Sequence, residues 1–165
     1  MIYFSYGSNM SFRRLKARIS NIAKLGVATL YDHDLRFHKV SQKDNSGKCD
    51  IFKTNNPEHL VVGVVYKIDP LEKRILDLYE GRGYGYEEKQ VSVEMGGELV
   101  SAFTYYATHI DQEIKPLHWY KEHVLRGARE NGLPGHYVRK IEMMDSIDDH
   151  DVDRHARELE IYSLI

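Results

Sequence analysis

Two short stretches of this chain carry residue types that could do chemistry. The first is Tyr6-Gly7-Ser8-Asn9 within YFSYGSNM, where an aromatic run stops at three small, hydrogen-bonding residues. Glycine lets backbone approach a ligand closely, and successive N–H groups ahead of a helix form a nest for an anion or oxyanion. The second is Glu80 in LDLYEGRGYGY, at the end of an amphipathic run and beside Tyr79. A helix C-terminus and an aromatic surround both disfavour an ionised carboxylate, and a carboxylate so placed suits taking and returning a proton. Each stretch also has a plain reading: a strand-to-helix turn capped by Ser11, and a solvated glutamate at a helix end. The residues alone leave both readings open.

Other patterns are weaker. GRGYG at 81–85 follows a helical pattern and precedes a strand, the reverse of a dinucleotide fingerprint. Asp149, Asp151, Asp153 and Glu160 fall at calcium-loop positions, but Arg154 stands where the sharp turn requires glycine, so they read as an acidic helix start. The nine histidines form no HExxH pair, and His118 and His123 would point in different directions on one helix. No metal is expected. Cys49, the only cysteine, excludes an intramolecular disulfide and lies in the polar stretch SQKDNSGKCD, far from any apparent partner. It reads as incidental.

Net charge is −2, from 23 basic and 25 acidic residues with no basic stripe, which argues against a nucleic-acid partner. The first residues lack the basic and apolar regions of a signal peptide, and no apolar run approaches the roughly 20 residues that span a bilayer. The expectation is a cytoplasmic protein with no membrane partner.

The elements that must position these residues follow from pattern. Residues 1–6 read as a short strand ending at Gly7, and SFRRLKARI as a helix with Phe12, Leu15 and Ile19 on one face. Residues 23–40 read as two strands around Asp32-His33-Asp34, residues 41–50 as a hydrophilic loop, and LVVGVVYKI (60–68) as a deeply buried strand. Asp69-Pro70 starts a helix that places Leu71, Ile75 and Leu78 at helical spacing before Gly81 stops it. A hairpin turning at Gly96-Gly97 follows, then helices from Pro116 onward. The charged tail from about 146 reads as a further helix docking through Leu159, Ile161 and Leu164. Strands dominate the first two thirds and helices the last. The predicted class is α+β: one domain over 1–165, with a small mixed, barrel-like sheet and flanking helices.

The sequence resembles the γ-glutamylcyclotransferase family. The resemblance rests on YFSYGSNM, LVVGVVYKI, YEG, TYYAT and WYKEHVLRGARENGLPGHY, in the family's order across roughly residues 1–140. The tail after about 145 has no counterpart in it. The resemblance implies a reaction in which the α-amine of a γ-glutamyl group attacks its own γ-carbonyl, giving 5-oxoproline and releasing an amine or amino acid. It implies no cofactor and no metal. It makes Glu80 the catalytic acid/base and Tyr6, Gly7, Ser8, Asn9, Tyr105 and Tyr120 substrate-binding residues. The implied partner is a small γ-glutamyl molecule, with a homodimer left open. Two rivals remain: a non-catalytic binding module for a small acidic metabolite, and hydrolysis of the same amide. Glu80 speaks against the first, because a carboxylate beside an anion pocket hinders binding but serves proton transfer. The lack of a Ser/His/Asp or Cys/His set speaks against the second.

Overall fold

The aromatic opening run forms β1 (Ile2–Ser5), and the chain then makes one 3₁₀ turn at Ser8–Met10 before α1 (Phe12–Arg18). The computed structural model describes residues 1–163. β2 (Ile22–Tyr31) follows, then β3 (His33–Val40), β4 (Gly47–Lys53) and β5 (Leu60–Ile68). A 3₁₀ turn at Pro70–Glu72 leads into α2 (Lys73–Glu80). β6 (Tyr86–Met95) and β7 (Glu98–Ala107) form the hairpin that turns at Gly96-Gly97. α3 (His118–Glu130), α4 (Gly135–Glu142) and α5 (Val152–Glu160) complete the described chain.

The order β1-β5-β2-β6-β7 closes into a barrel, because β7 returns to β1 in a parallel bridge at Tyr3–Phe103. The other pairings are antiparallel, so the barrel is mixed and the class is α+β as expected. β5 is its centre: Val61 to Tyr66 are buried without interruption, which is why this strand reads as a continuous apolar run. Closure leaves no free edge among these five strands.

Three expectations need correction. Residues 41–50 are not all loop, since β4 begins at Gly47 and pairs with β3 as a second, two-stranded sheet. Its polar composition hides an inward row of Cys49 and Ile51, and its buried Asp50 is matched by His38 Nε2 at 2.8 Å and the Ala107 amide at 2.7 Å. Ser11 sits at the N-cap of α1 but its hydroxyl makes no capping bond; Glu130 Oε1 accepts from the Phe12 amide at 2.5 Å instead. Leu15 and Ile19 are buried, whereas Phe12 is exposed.

The third correction is α2, which presents the opposite face from the one expected. Leu71 and Leu78 are 85% and 81% exposed and Ile75 is exposed too, while Leu76 and Lys73 are buried. The polar face turns inward because its charges are met there: Lys73 pairs with Asp77 and with Glu88 of β6, and Asp77 accepts from Tyr105 of β7. Asp69 caps the preceding turn by accepting from the Leu71 amide, and Gly81 ends the helix in the left-handed region at φ 68°.

The tail forms α5 as expected. Leu159 packs on the core and Ile161 is half-buried; Leu164 lies outside the described residues. Polar contacts add to the anchoring, with Glu158 bonded to Arg14 and His123 Nδ1 to the Tyr162 hydroxyl. Arg154 pairs with Asp149, which also accepts from the Trp119 indole N–H and the Asp151 amide, and Asp151 caps α5 by accepting from the Arg154 amide. This accounts for the acidic residues that resembled a calcium loop. Among the described residues no group of carboxylates, histidines or cysteines could hold a metal.

Candidate active site

The 3₁₀ turn after β1 is held in place by α3. A side chain at Gly127 would run into the Ser11 amide at 2.6 Å and Met10 Cβ at 2.7 Å, so glycine there lets the helix lie directly on the turn. From the other side, Tyr66 of β5 and Asn131 donate to the Met10 carbonyl at 2.7 and 2.9 Å. The Met10 amide closes the turn on the Gly7 carbonyl at 3.0 Å. The first amides of such a turn have no partner within it, which leaves them available to a ligand.

This turn and the end of α2 face one another across a small cleft. Every residue singled out from sequence lines it: Tyr6, Gly7, Ser8, Asn9, Glu80, Tyr105 and Tyr120. Tyr3, Ser5, Cys49 and Tyr86 complete the wall.

Glu80 is fixed by two donors. Its Oε1 accepts from Asn9 Nδ2 at 2.7 Å and from Arg18 Nη1 at 3.0 Å. Both charged side chains are mostly enclosed, at 15% exposure for Glu80 and 17% for Arg18. Asn9 is fixed in turn, with Oδ1 accepting from Arg18 at 2.8 Å and Nδ2 also donating to the Tyr3 hydroxyl at 3.2 Å. This orients the amide without ambiguity, since arginine only donates. The Arg18 guanidinium also lies 5.3 Å from the centre of the Tyr79 ring.

The tyrosines form a neutral, hydrogen-bonded wall. Tyr6 donates to the Tyr105 carbonyl at 2.7 Å, and Tyr105 donates to Asp77 at 2.6 Å. Tyr120 accepts from the Cys49 amide at 3.0 Å, and Tyr86 donates to the Cys49 carbonyl at 2.6 Å. Burial pushes the Tyr6, Tyr86 and Tyr120 hydroxyls well above the usual phenol range. For Tyr105, burial and then the bonded Asp77 carboxylate do the same. These rings act as donors, acceptors and packing surface, never as phenolates near neutral pH. Asp77 itself is ionised: burial opposes its charge, but the Lys73 ammonium and Tyr105 hydroxyl outweigh it and hold its pKa low.

Cys49 lies in this wall, against expectation for a residue of a polar stretch. Its thiol is buried and its pKa is pushed well up by burial, so it is not a nucleophile at neutral pH.

Residues 60–141 match the AIG2-like family. Bovine γ-glutamylcyclotransferase is 32% identical over 153 residues, covering 89% of this chain and 80% of its own length. The human γ-glutamylcyclotransferase is 33% identical over 154 residues with the same coverage of both chains. A solved γ-glutamyl cyclotransferase structure superposes with a TM-score of 0.84 at 30% identity, over 95% of this chain and 98% of the other. The chain belongs to the γ-glutamylcyclotransferase family.

Within this γ-glutamylcyclotransferase-family chain, part of the tail is matched in the solved relative. Coverage of 95% leaves fewer residues unmatched than the tail contains. Sequence reasoning missed Arg18, Tyr3, Asp77 and Tyr86 at or beside the cleft. One signal was available: Lys73, Asp77 and Glu80 recur at i, i+4 and i+7, a polar stripe as regular as the apolar one that was read as buried. Arg18 gave none, because a basic residue in the last turn of a helix is accounted for by the dipole alone.

Proposed function

We propose that the chain cyclises a γ-glutamyl amine or γ-glutamyl amino acid to 5-oxoproline and releases the free amine, with Glu80 carrying the proton in both directions. The observation that carries this reading is the placement of one enclosed, doubly hydrogen-bonded carboxylate across a small cleft from the Gly7–Asn9 turn.

The chemistry divides into proton transfers before and after one tetrahedral intermediate. The α-ammonium of the glutamyl group gives a proton to Glu80, and the freed amine attacks the γ-carbonyl carbon of the same molecule. The carbonyl oxygen gains the electron pair and becomes an oxyanion, whose stabilisation this reading assigns to the amides of Ser8 and Asn9. The intermediate collapses as Glu80 delivers the proton to the departing nitrogen, and the C–N bond to the leaving group breaks. The ring nitrogen, left with two hydrogens and a positive charge by the attack, then gives its extra proton to the emptied Glu80 carboxylate, which passes it to the released amine. That amine leaves as an ammonium, 5-oxoproline is neutral at nitrogen, and Glu80 returns to its starting form. Because nucleophile and electrophile belong to one molecule, the walls need only hold it folded. A ring of buried, neutral tyrosines suits that task by supplying shape and fixed hydrogen bonds.

The test is to incubate the protein with γ-glutamyl amino acids and γ-glutamyl amines and to read 5-oxoproline and free amine by mass spectrometry. Equimolar appearance of the two supports the reading. Glutamate in place of 5-oxoproline would mean hydrolysis, and saturable binding without product would mean a binding module.

A further inference from the structure

The Glu80 cleft opens into a broader one, with Ser8, Glu80, Tyr86 and Tyr120 common to both. A γ-glutamyl group held in the inner cleft would project its leaving half into the outer one. Charge is out of balance there. Six cationic side chains line the outer cleft, Arg14, Arg18, Lys39, Lys43, Lys48 and Arg154, against the three carboxylates Asp44, Glu80 and Glu158. The chain as a whole carries a net charge of −2, so this is a local excess.

Four of the six cations are matched. Arg14 pairs with Glu158, Arg18 with Glu80, Lys48 with Asp44, and Arg154 with Asp149 outside the lining. Lys43 is exposed at the rim. Lys39 differs from all of these. It is half-buried on β3, its ammonium lies 4.8 Å from the centre of the Tyr86 ring, and among the described residues no carboxylate is within ion-pair distance. Tyr86 is a wall of the inner cleft as well, which puts Lys39 at the junction between the two. Burial holds its ammonium below the ordinary lysine range. The Glu80 and Asp44 carboxylates attract it from beyond ion-pair distance without offsetting that cost, so it has more to gain from an anionic ligand than a solvated cation has.

We propose that Lys39 docks a carboxylate of the leaving group, so that the chain selects γ-glutamyl compounds whose leaving half carries a carboxylate. Lys39 and Lys43 together leave two cations unmatched, so a dicarboxylic leaving group is favoured most, a monocarboxylic one next, and neutral or cationic amines least. This inference rests on the cyclotransferase reading of the inner cleft, and it adds a specificity-determining residue and a substrate class to that reading.

The experiment compares kcat/KM within two matched pairs. γ-Glutamyl-glutamate and γ-glutamyl-glutamine differ by one charge at nearly constant size, and γ-glutamyl-alanine and γ-glutamyl-ethylamine differ by one carboxylate. The expected preference for the more anionic member is about tenfold in each pair, the size of one charge-assisted hydrogen bond. Lys39→Gln is expected to bring the alanine/ethylamine ratio close to one, and Lys39→Gln combined with Lys43→Gln to bring both ratios there. Lys67→Gln, which removes the same charge from an exposed position on β5, is expected to leave them as they are. Ratios near one in the parent protein, or an alanine/ethylamine ratio unmoved by Lys39→Gln, overturn the proposal. If no compound yields 5-oxoproline, the cyclotransferase reading fails, and the same pairs are then compared as equilibrium dissociation constants. A tenfold preference lost in Lys39→Gln would still establish the docking site, and equal constants would remove it.

Discussion

Asn9 Nδ2 donates to Glu80 Oε1 at 2.7 Å across 71 residues of sequence, and Arg18 bridges the two side chains from the end of α1. The contact ties the turn after β1 to the C-terminus of α2, so the proposed oxyanion donors and the proposed proton carrier are positioned by each other. Asn9→Asp keeps the shape and replaces the donor by an acceptor, setting two carboxylates against one another. We expect kcat to fall by about 10²-fold, within the range for disabling acid/base catalysis. We also expect a stability loss of about 1–3 kcal/mol from the unmatched pair. Turnover and thermal denaturation measured on this variant check both; near-normal values for the two would dissolve the proposed coupling.

Gly7 is expected to tolerate no side chain larger than a methyl group in the fold, and to bind substrate best with none. A Cβ there would lie 3.0 Å from Cys49 Cβ, 3.4 Å from its sulfur and 3.6 Å from the Tyr120 hydroxyl. Its φ of −115° is accessible to any residue, so the obstacle is space and not backbone strain. Gly7→Ala should cost little stability but weaken substrate binding, and Gly7→Val should lose about 1–3 kcal/mol by overpacking and most of the activity. KM and denaturation midpoints for the pair decide it. A Gly7→Val protein of unchanged KM would show that substrate does not reach this turn.

Acid should loosen the tail helix. His123 is fully buried, and burial, with Arg14 beside it, lowers its pKa from 6.5 to about 4. The neighbouring Glu158 is lowered from 4.5 to about 2, chiefly by its hydrogen bond to His123 and then by Arg14. For His123 the unfolded chain takes up its proton first, so stability is lost as pH falls from about 6.5 towards 4. The Glu158 contribution is complete above about 4.5 and is lost as pH falls towards 2. Both act in one direction. Thermal midpoints between pH 7 and 4 should therefore decline, and His123→Gln should flatten the decline. A midpoint that holds level or rises over that window would contradict the assignment.

What the sequence made legible was local. The apolar run of β5, the Gly96-Gly97 hairpin and the Asp69-Pro70 helix start each depend on a few adjacent residues, and each appears where expected. What it concealed depended on partners far along the chain. β4 looked polar because the residues that satisfy Asp50 lie in β3 and at the end of β7. α2 was turned the wrong way because three leucine-type residues at helical spacing outweighed a charged stripe whose counter-charges come from β6 and α1 and whose neutral hydrogen-bond donors come from β7 and the first turn. The same asymmetry runs through the site. Glu80 and the Tyr6–Asn9 block could be picked out by type and spacing, whereas Arg18, which only a folded chain brings to Glu80, could not.

The central claim is that Glu80 moves the proton, and Glu80→Gln tests it most directly because the amide keeps the shape and much of the hydrogen bonding. Single-turnover formation of 5-oxoproline should be measured beside equilibrium binding of the same γ-glutamyl substrate. The account predicts a rate lower by about 10²–10⁴-fold with a dissociation constant changed only a few-fold. A Glu80→Gln protein that forms 5-oxoproline at the parent rate would contradict it.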